Sequence, residues 1–514
     1  MTTDAHSNIT IDHPVVETAS GPVRGVDDGQ VTVWRGIRYA APPVGDLRWR
    51  APVAPESWTE IVDAVDFGPI SPQPKSPIPL GAGTRTDEDC LFLNVWAPSV
   101  DEAAKKGAAK PVMVWVHGGA YIFGAGSQPL YDGRALATRG DLIVVTLNYR
   151  MGAFGFLDLS GIESDGQRFD TNLGLRDILF ALHWVRDNIA AFGGDPDQVT
   201  LFGESAGGGI ITTLLTAPAA AGLFARAIVQ SSPATSVYDS ARAQTVAELV
   251  LERLGVGAAE ARSVPVQALV DASMHVFDHV PTSTPGTLAF APTVDGDLVP
   301  DYPVKLAREG KSHPVPLIIG TNKDEAALFR WMKSPLMPIA PKTIRAMFEE
   351  IAAEQPGLQL PSEAEIGSAY SGIRTRALGL HVARDVGFRM PTVWLAEGHS
   401  EVAPVYLYRF DWTTPMLRLL RLGAAHATEL PYVWGNLVMG AKDITFKLGG
   451  LKPGTAVSER MQDRWIAFAK GESPWAAYTT DQRATLVIDK DDRVVDDLDD
   501  GIRAAWGSEI LSFR

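Results

Sequence analysis

A serine set between two glycines, Gly203-Glu204-Ser205-Ala206-Gly207, is the stretch of this 514-residue chain best suited to chemistry. It follows a short apolar run, Val199-Thr200-Leu201-Phe202, and precedes a segment that reads as a helix from Gly208 to Leu215. A serine at a sharp strand-to-helix turn takes a strained backbone, and glycines two residues to either side let the two arms approach. A hydroxyl presented this way can act as a nucleophile if a base takes its proton and donors receive the negative charge that its attack creates. Donors lie upstream. Val112-Met113-Val114-Trp115-Val116 is continuously apolar, as for a strand buried on both faces of a parallel sheet, and runs into His117-Gly118-Gly119-Ala120-Tyr121. Small residues there leave backbone N–H groups bare, and each such donor is worth about 2.7–4 kcal/mol to a developing oxyanion. Alanine serves at position 120 as well as glycine would if its φ is negative, since the amide is the working group.

Further motifs extend over nearly the whole chain: Gly36-Ile37-Arg38-Tyr39-Ala40, Leu47-Arg48-Trp49, Glu88-Asp89-Cys90-Leu91, Leu93-Asn94-Val95-Trp96 and Asn148-Tyr149-Arg150. Asn172-Leu173-Gly174-Leu175, Phe192-Gly193-Gly194-Asp195-Pro196 and Trp465-Ile466-Ala467-Phe468-Ala469 complete the set. In this order they resemble the type-B carboxylesterases, the group that includes cholinesterases and many bacterial esterases. The resemblance implies an α/β-hydrolase fold. It also implies an oxyanion hole of the Gly119, Ala120 and Ala206 amides, with Gly118 in support, and the chain order serine, acid, histidine.

The acid should stand on a loop beyond a strand's carboxyl end. Val315 to Ile319 reads as such a strand and leads to Gly320-Thr321-Asn322-Lys323-Asp324-Glu325. The residues alone leave Asp324 and Glu325 both open; resemblance to the family's Asp-Glu-Gly segment selects Glu325 and leaves Asp324 as a solvated loop charge. Ala326 replaces the family's usual glycine after the acid. Three histidines follow: His381, His399 and His426. Only His426 lies beyond the strand read at Val405 to Phe410, which matches both the required place and the family pattern. Glu204 and Ser231 match family positions near the histidine and are supporting candidates, and His117 is read as bracing the oxyanion loop.

These residues imply a two-step acyl transfer to water with no organic cofactor and no metal. The expected substrate is a neutral, modest-sized carboxylic ester, with aryl carbamates or amides as chemical variants. A non-catalytic adhesion or scaffold protein on the same fold is the reading from another class. Cholinesterases hold a quaternary ammonium on a tryptophan face in the loop before the Glu-Asp-Cys-Leu segment; Gly68 to Leu91 holds no aromatic residue, so the resemblance implies that choline esters fit poorly. Tyr121, Phe123, Phe329 and Trp331 are candidates to line an apolar gorge. Activity should rise with pH through the ordinary histidine range, about 6–7.

The elements that must position these groups alternate between β-branched runs and amphipathic stretches, so the fold class is α/β with a mostly parallel, doubly wound sheet. Further strands are read at Leu142–Leu147 and Arg226–Gln230. Leu175, Ile178, Leu179, Leu182, Val185 and Ile189 recur at helical spacing, with Gly193-Gly194 as the stop. Residues 1–13 read as a mobile tail and 14–514 as one catalytic domain. A helical, cap-like insertion is expected at about 330–400, and the proline-rich stretch from Gly68 to Leu80 reads as a surface loop. A formal charge of −15, from 46 basic and 61 acidic residues, argues against nucleic acid and anionic membranes as partners. No apolar run reaches the roughly 18 residues of a membrane span, and Met1 to Val15 lacks a basic segment followed by an apolar one. The single cysteine, Cys90, cannot form an intrachain disulfide. Its disulfide partner in secreted relatives is missing here, which points to a reducing compartment and hence to the cytoplasm. Monomer and homo-oligomer stay equally open.

Overall fold

Among the described residues, short runs of β-branched and aromatic residues supply eleven strands to one large sheet. They are β1 (Val26–Asp27), β2 (Val31–Arg38), β3 (Phe92–Pro98), β4 (Lys110–Val116), β5 (Ile143–Leu147), β6 (Gly194–Glu204), β7 (Arg226–Gln230), β8 (Leu317–Asn322), β9 (Val405–Phe410), β10 (Thr485–Ile488) and β11 (Arg493–Val495). The computed structural model describes residues 13–99, 108–371, 373–438, 440 and 443–514. The segment read as an N-terminal tail therefore lies, up to residue 12, outside the described residues.

Spatial order across the sheet is β11-β10-β9-β8-β7-β6-β4-β5-β3-β2-β1. Every pair from β10 to β5 is parallel, and the outer pairs are antiparallel. Val15–Thr18, Gly21–Arg24 and Val62–Asp63 form a separate three-stranded sheet.

The central strands are buried on both faces, and the period of two divides their side chains between two cores. Val112, Val114 and Val116 pack with Leu175, Ile178 and Leu182 of the helix Leu173–Asn188. Met113 and Trp115 point the other way, toward Trp434 and the helix Leu451–Ala469. Leaving β4, the chain adds β5 on one side and later β6 on the other. Loops beyond β4 and β6 therefore diverge at a topological switch point, where open α/β sheets form their crevice.

Strands read at Arg226–Gln230 and Val405–Phe410 have those bounds. Val315 and Pro316 fall outside β8, consistent with a proline that has no amide to give the ladder. The helix after Ser205 begins at Ala206, two residues earlier than read. Gly68 to Leu80 is not simply a surface loop. Ile70, Ser71 and Pro72 are buried, and the Gln73 side chain bonds both backbone groups of Gly124, each at 2.9 Å. Cys90 is buried and free. Between 341 and 399 the chain forms the helices Pro341–Glu354, Glu363–Ala369, Thr375–Arg384 and Met390–His399, with a π turn at Asp385–Arg389. Among the described residues no helix is long and apolar enough to cross a membrane.

Candidate active site

Ser205 follows the last residue of β6 and caps the helix Ala206–Leu214, with φ 55° and ψ −123°. Its N–H donates to Gln230 O at 2.9 Å and its carbonyl accepts from Gly209 N at 2.8 Å. Such a conformation costs roughly 1–3 kcal/mol and persists only where the surroundings enforce it. The flanking glycines are required by close approach: a Cβ on Gly203 or Gly207 would lie 2.6 or 2.1 Å from Val116 O at the end of β4.

His426 reaches this serine from the loop after β9. Its Nε2 lies 2.8 Å from Ser205 Oγ, and its Nδ1 lies 2.7 Å from Glu325 Oε2. An ionised carboxylate only accepts, so Glu325 holds the proton on Nδ1 and turns the Nε2 lone pair toward the serine hydroxyl. Glu325 is fully buried just beyond β8. Its second oxygen accepts from Asn322 N at 2.7 Å and from Ser231 Oγ at 2.6 Å. This arrangement can strip a proton from a hydroxyl and hold the imidazolium that results.

Asp324 is not a solvated loop charge. It is half-buried, which raises its carboxyl above the ordinary range despite a bond from Ala424 N. The two residues bond reciprocally: Asp324 N donates to Ala424 O at 2.8 Å, and Ala424 N donates to Asp324 Oδ2 at 3.1 Å. The loop bearing the acid is thereby tied to the loop bearing the histidine. Gly423, at φ 63°, admits this contact, because a Cβ there would fall 2.2 Å from Asp324 Oδ2.

The loop beyond β4 departs from the expected backbone. Ala120 has φ 53°, not a negative value, and lies between Gly119 at 122° and Tyr121 at 62°. Three successive positive φ values turn the chain tightly enough for Ile122 N and Phe123 N both to donate to Gly119 O, at 3.1 and 2.9 Å. Tyr121 O accepts from Gly152 N at 2.7 Å. Among the described residues no hydrogen bond takes up the N–H of Gly119 or Ala120. Ala206, as first residue of its helix, has no carbonyl a turn earlier to bond. Ala120, Ser205 and Ala206 line one cleft; Gly119 does not line it. Gly118 sits against the nucleophile turn, where a Cβ would stand 3.0 Å from Ser205 Cβ. His117 does brace this loop: its Nδ1 lies 2.9 Å from Gly118 O, its carbonyl accepts from Tyr149 OH at 2.7 Å, and its ring stacks on Tyr149. Burial presses its pKa down to about 4, so the imidazole is neutral.

Two more buried carboxyl groups act on the charge of the same imidazole. Glu204 Oε1 lies 3.2 Å from His426 Nε2 and has no hydrogen-bond donor of its own. Burial pushes its carboxyl up to about 8 against the pull of His426, and the charges of Glu429 and Glu325 add to the rise. Glu429 is not among the residues that the sequence pattern singles out. It accepts from Gln230 Nε2 at 3.1 Å and from Asn322 Nδ2, and burial together with Glu325 raises it to about 6. Its signal was a lone acid at the head of the otherwise apolar stretch Leu430–Trp434. For His426 burial acts downward, but Glu204 first and Glu325 next outweigh it and lift the imidazole to about 9.

The cleft above Ser205 spans about 830 Å³ together with its open mouth, and none of its lining residues is charged. Phe388 and Phe329 stand in its wall with ring centroids 4.7 and 5.2 Å from the imidazole. Tyr121 lines it too, whereas Phe123 packs on Phe277 and Trp331 is 61 % exposed. Of the other histidines, His381 lies in the helix Thr375–Arg384. His399 is buried between Ser312 Oγ and Val315 O, each at 2.8 Å. Among the described residues no group of three or more His, Cys, Asp or Glu side chains is placed to hold a metal ion.

A strained serine at a strand–helix turn of a mostly parallel sheet, with histidine and glutamate delivered from later strands, is the architecture of an α/β-hydrolase. The carboxylesterase family model matches residues 12–501. The para-nitrobenzyl esterase of Bacillus subtilis is 39 % identical over 500 residues, covering 94 % of this chain and 96 % of its own. A phenmedipham hydrolase from Pseudarthrobacter oxydans is 32 % identical over 496 residues, covering 93 % and 95 %. A solved PNB esterase superposes with a TM-score of 0.82 at 37 % identity, over 96 % of this chain and all of the other. The chain belongs to the carboxylesterase family and is an ester hydrolase.

Proposed function

We propose that Ser205, His426 and Glu325 form a catalytic triad that hydrolyses neutral, apolar carboxylic esters through an acyl-enzyme. The observation that carries this reading is the unbroken relay Ser205 Oγ–His426 Nε2–Glu325 Oε2, at 2.8 and 2.7 Å. His426 takes the hydroxyl proton as Ser205 Oγ bonds to the ester carbonyl carbon. Free N–H groups of Gly119, Ala120 and Ala206 receive the oxyanion. Collapse of the tetrahedral intermediate breaks the bond to the alcohol oxygen, which leaves with the proton from His426. Water then repeats the sequence on the acyl-serine, giving up its proton to His426 and releasing the acid.

Substrate class follows from the cleft, whose walls offer apolar and aromatic contacts and no counter-charge. Aryl carbamates and amides would pass through the same intermediates and are the nearest chemical variants. Intact mass after treatment with an organophosphate tests the assignment. One phosphoryl adduct on Ser205, absent from Ser205→Ala, is the expected result; an unmodified wild-type protein would favour a non-catalytic scaffold.

A further inference from the structure

We propose that the segment Leu511–Arg514 is a clamp that sets how long an apolar group the substrate cleft accepts, held in place by Arg242 and Glu354. The inference rests on the reading of Ser205 as the nucleophile of an ester hydrolase. Leu511, Ser512 and Phe513 all line the cleft, and the first and last are buried. The segment belongs to no helix or strand, so no ladder of backbone bonds fixes it and its polar groups must be met otherwise.

They are met by one compact set of side chains. Glu354 Oε2 accepts from Arg514 N at 2.7 Å, and Ser512 O accepts from Gln355 Nε2 at 2.5 Å. Arg242 Nε donates to Arg514 O at 2.9 Å, while its Nη2 donates to Glu354 Oε1. The same guanidinium lies over the rings of Phe513 and Tyr238, at 5.2 and 5.4 Å. Arg242 is set in turn by its helix start, where its N–H caps onto Asp239 Oδ1 at 2.9 Å.

This polar latch lies behind an apolar wall built from the same three pieces of chain. Tyr238 precedes Arg242, Met347 and Ile351 precede Glu354, and Phe513 precedes Arg514; all four line the cleft. Phe513 and Met347 close on one another around Gly286, where a Cβ would lie 2.8 Å from Met347 Sδ and 3.3 Å from Phe513 Cε2. The wall is thus packed, and an acyl or alcohol chain that reaches it can lengthen only by displacing Phe513.

Kinetics on nitrophenyl esters of graded acyl length, and on acetates of graded alcohols, test the clamp in Phe513→Ala and Glu354→Gln. Phe513→Ala should raise the ratio of long-chain to short-chain kcat/KM by roughly fourfold for each extra methylene taken out of water, and at least tenfold in all. Glu354→Gln, which touches no substrate, should shift the same ratio in the same direction with kcat on the acetate ester unchanged. A shift in either series supports the clamp. Wild-type length profiles in Glu354→Gln and in a Phe513→Ala that melts like wild type would overturn it; if Phe513→Ala does not fold, Glu354→Gln alone decides. Absence of turnover on every ester by the wild-type protein would instead sink the reading of Ser205, and the clamp with it.

Discussion

Replacing Glu204 with glutamine should move the pH at which this enzyme switches on. Glu204 Oε1 stands 3.2 Å from His426 Nε2, the nitrogen that must be unprotonated to accept from Ser205. At an effective dielectric constant of ~20, two unit charges at that separation attract by about 5 kcal/mol. The lift of His426 from 6.5 to about 9 is the residue left after burial has opposed it, and is worth ~3 kcal/mol. Glu204 does not carry full charge throughout this range, because its own carboxyl is raised to about 8. The two groups therefore compete for protons as a pair, and we expect the substitution to lower the midpoint by about one to two units rather than by the whole lift. The sign is set by the general-base role proposed for His426. A raised imidazole pKa favours the protonated base, so activity grows as pH rises through a value above the range of about 6–7 expected from the sequence, and Glu204→Gln gains relative activity on the acid side. Its plateau should fall, because the imidazolium formed during attack loses the carboxylate facing it. The assay is kcat/KM for a short nitrophenyl ester by pH-stat over roughly pH 5 to 10. A wild-type midpoint at or below 6.5, unmoved by Glu204→Gln, would refute the claim that this carboxylate sets the charge of His426.

Gly423→Ala should cut kcat by about tenfold or more with little change in KM, since the new Cβ collides with Asp324 Oδ2 and parts the two loops that deliver Glu325 and His426; steady-state kinetics separate the two constants. Ala120→Gly should relieve a left-handed alanine, changing stability by no more than about 1 kcal/mol and leaving turnover within a few-fold, because the amide remains; urea unfolding and turnover check both. His426→Ala should lose at least about a thousandfold in kcat. His399→Ala should keep kcat and lose roughly 1–3 kcal/mol of stability, because it leaves Ser312 Oγ and Val315 O without a buried partner; thermal melts and turnover on the two variants distinguish them.

Much of this site could be read from sequence because its members sit where the pattern of the chain changes. Ser205, the Gly118–Ala120 loop, Glu325 and His426 each follow an apolar run, and a run buried on both faces announces a strand whose carboxyl end opens on the crevice. What escaped depends on contacts between segments distant in sequence. The left-handed φ of Ala120 accompanies the two hydrogen bonds that Gly119 O accepts and the one that Gly152 N gives to Tyr121 O, none of which the local sequence reveals. Asp324 reads as a loop charge until the loop ending at Ala424 folds onto it. Phe123 and Trp331 stand within two residues of Tyr121 and Phe329, yet one turns into the core and the other to solvent.

The charge balance around His426 is the deepest of these tertiary properties. Glu204 is the last residue of β6, Glu325 and Glu429 come from beyond β8 and β9, and three buried carboxyl groups acting on one imidazole are tolerable only if their remaining oxygens find donors. Gln230, the last residue of the intervening β7, helps to meet that demand. Its carbonyl accepts from Ser205 N and so holds the strained turn, while its Nε2 donates to Glu429. Asn322 does the matching work at the end of β8, giving its backbone N–H to Glu325 and its side-chain amide to Glu429. Ser231 closes the set on Glu325. Among the described residues no hydrogen-bond donor reaches the buried Glu204 Oε1, which lies 3.2 Å from the imidazole Nε2 of His426. Of the three acids, Glu204 is thus the one whose charge depends on the state of the base, and the one through which the protonation of His426 can be shifted without disturbing the relay to Glu325.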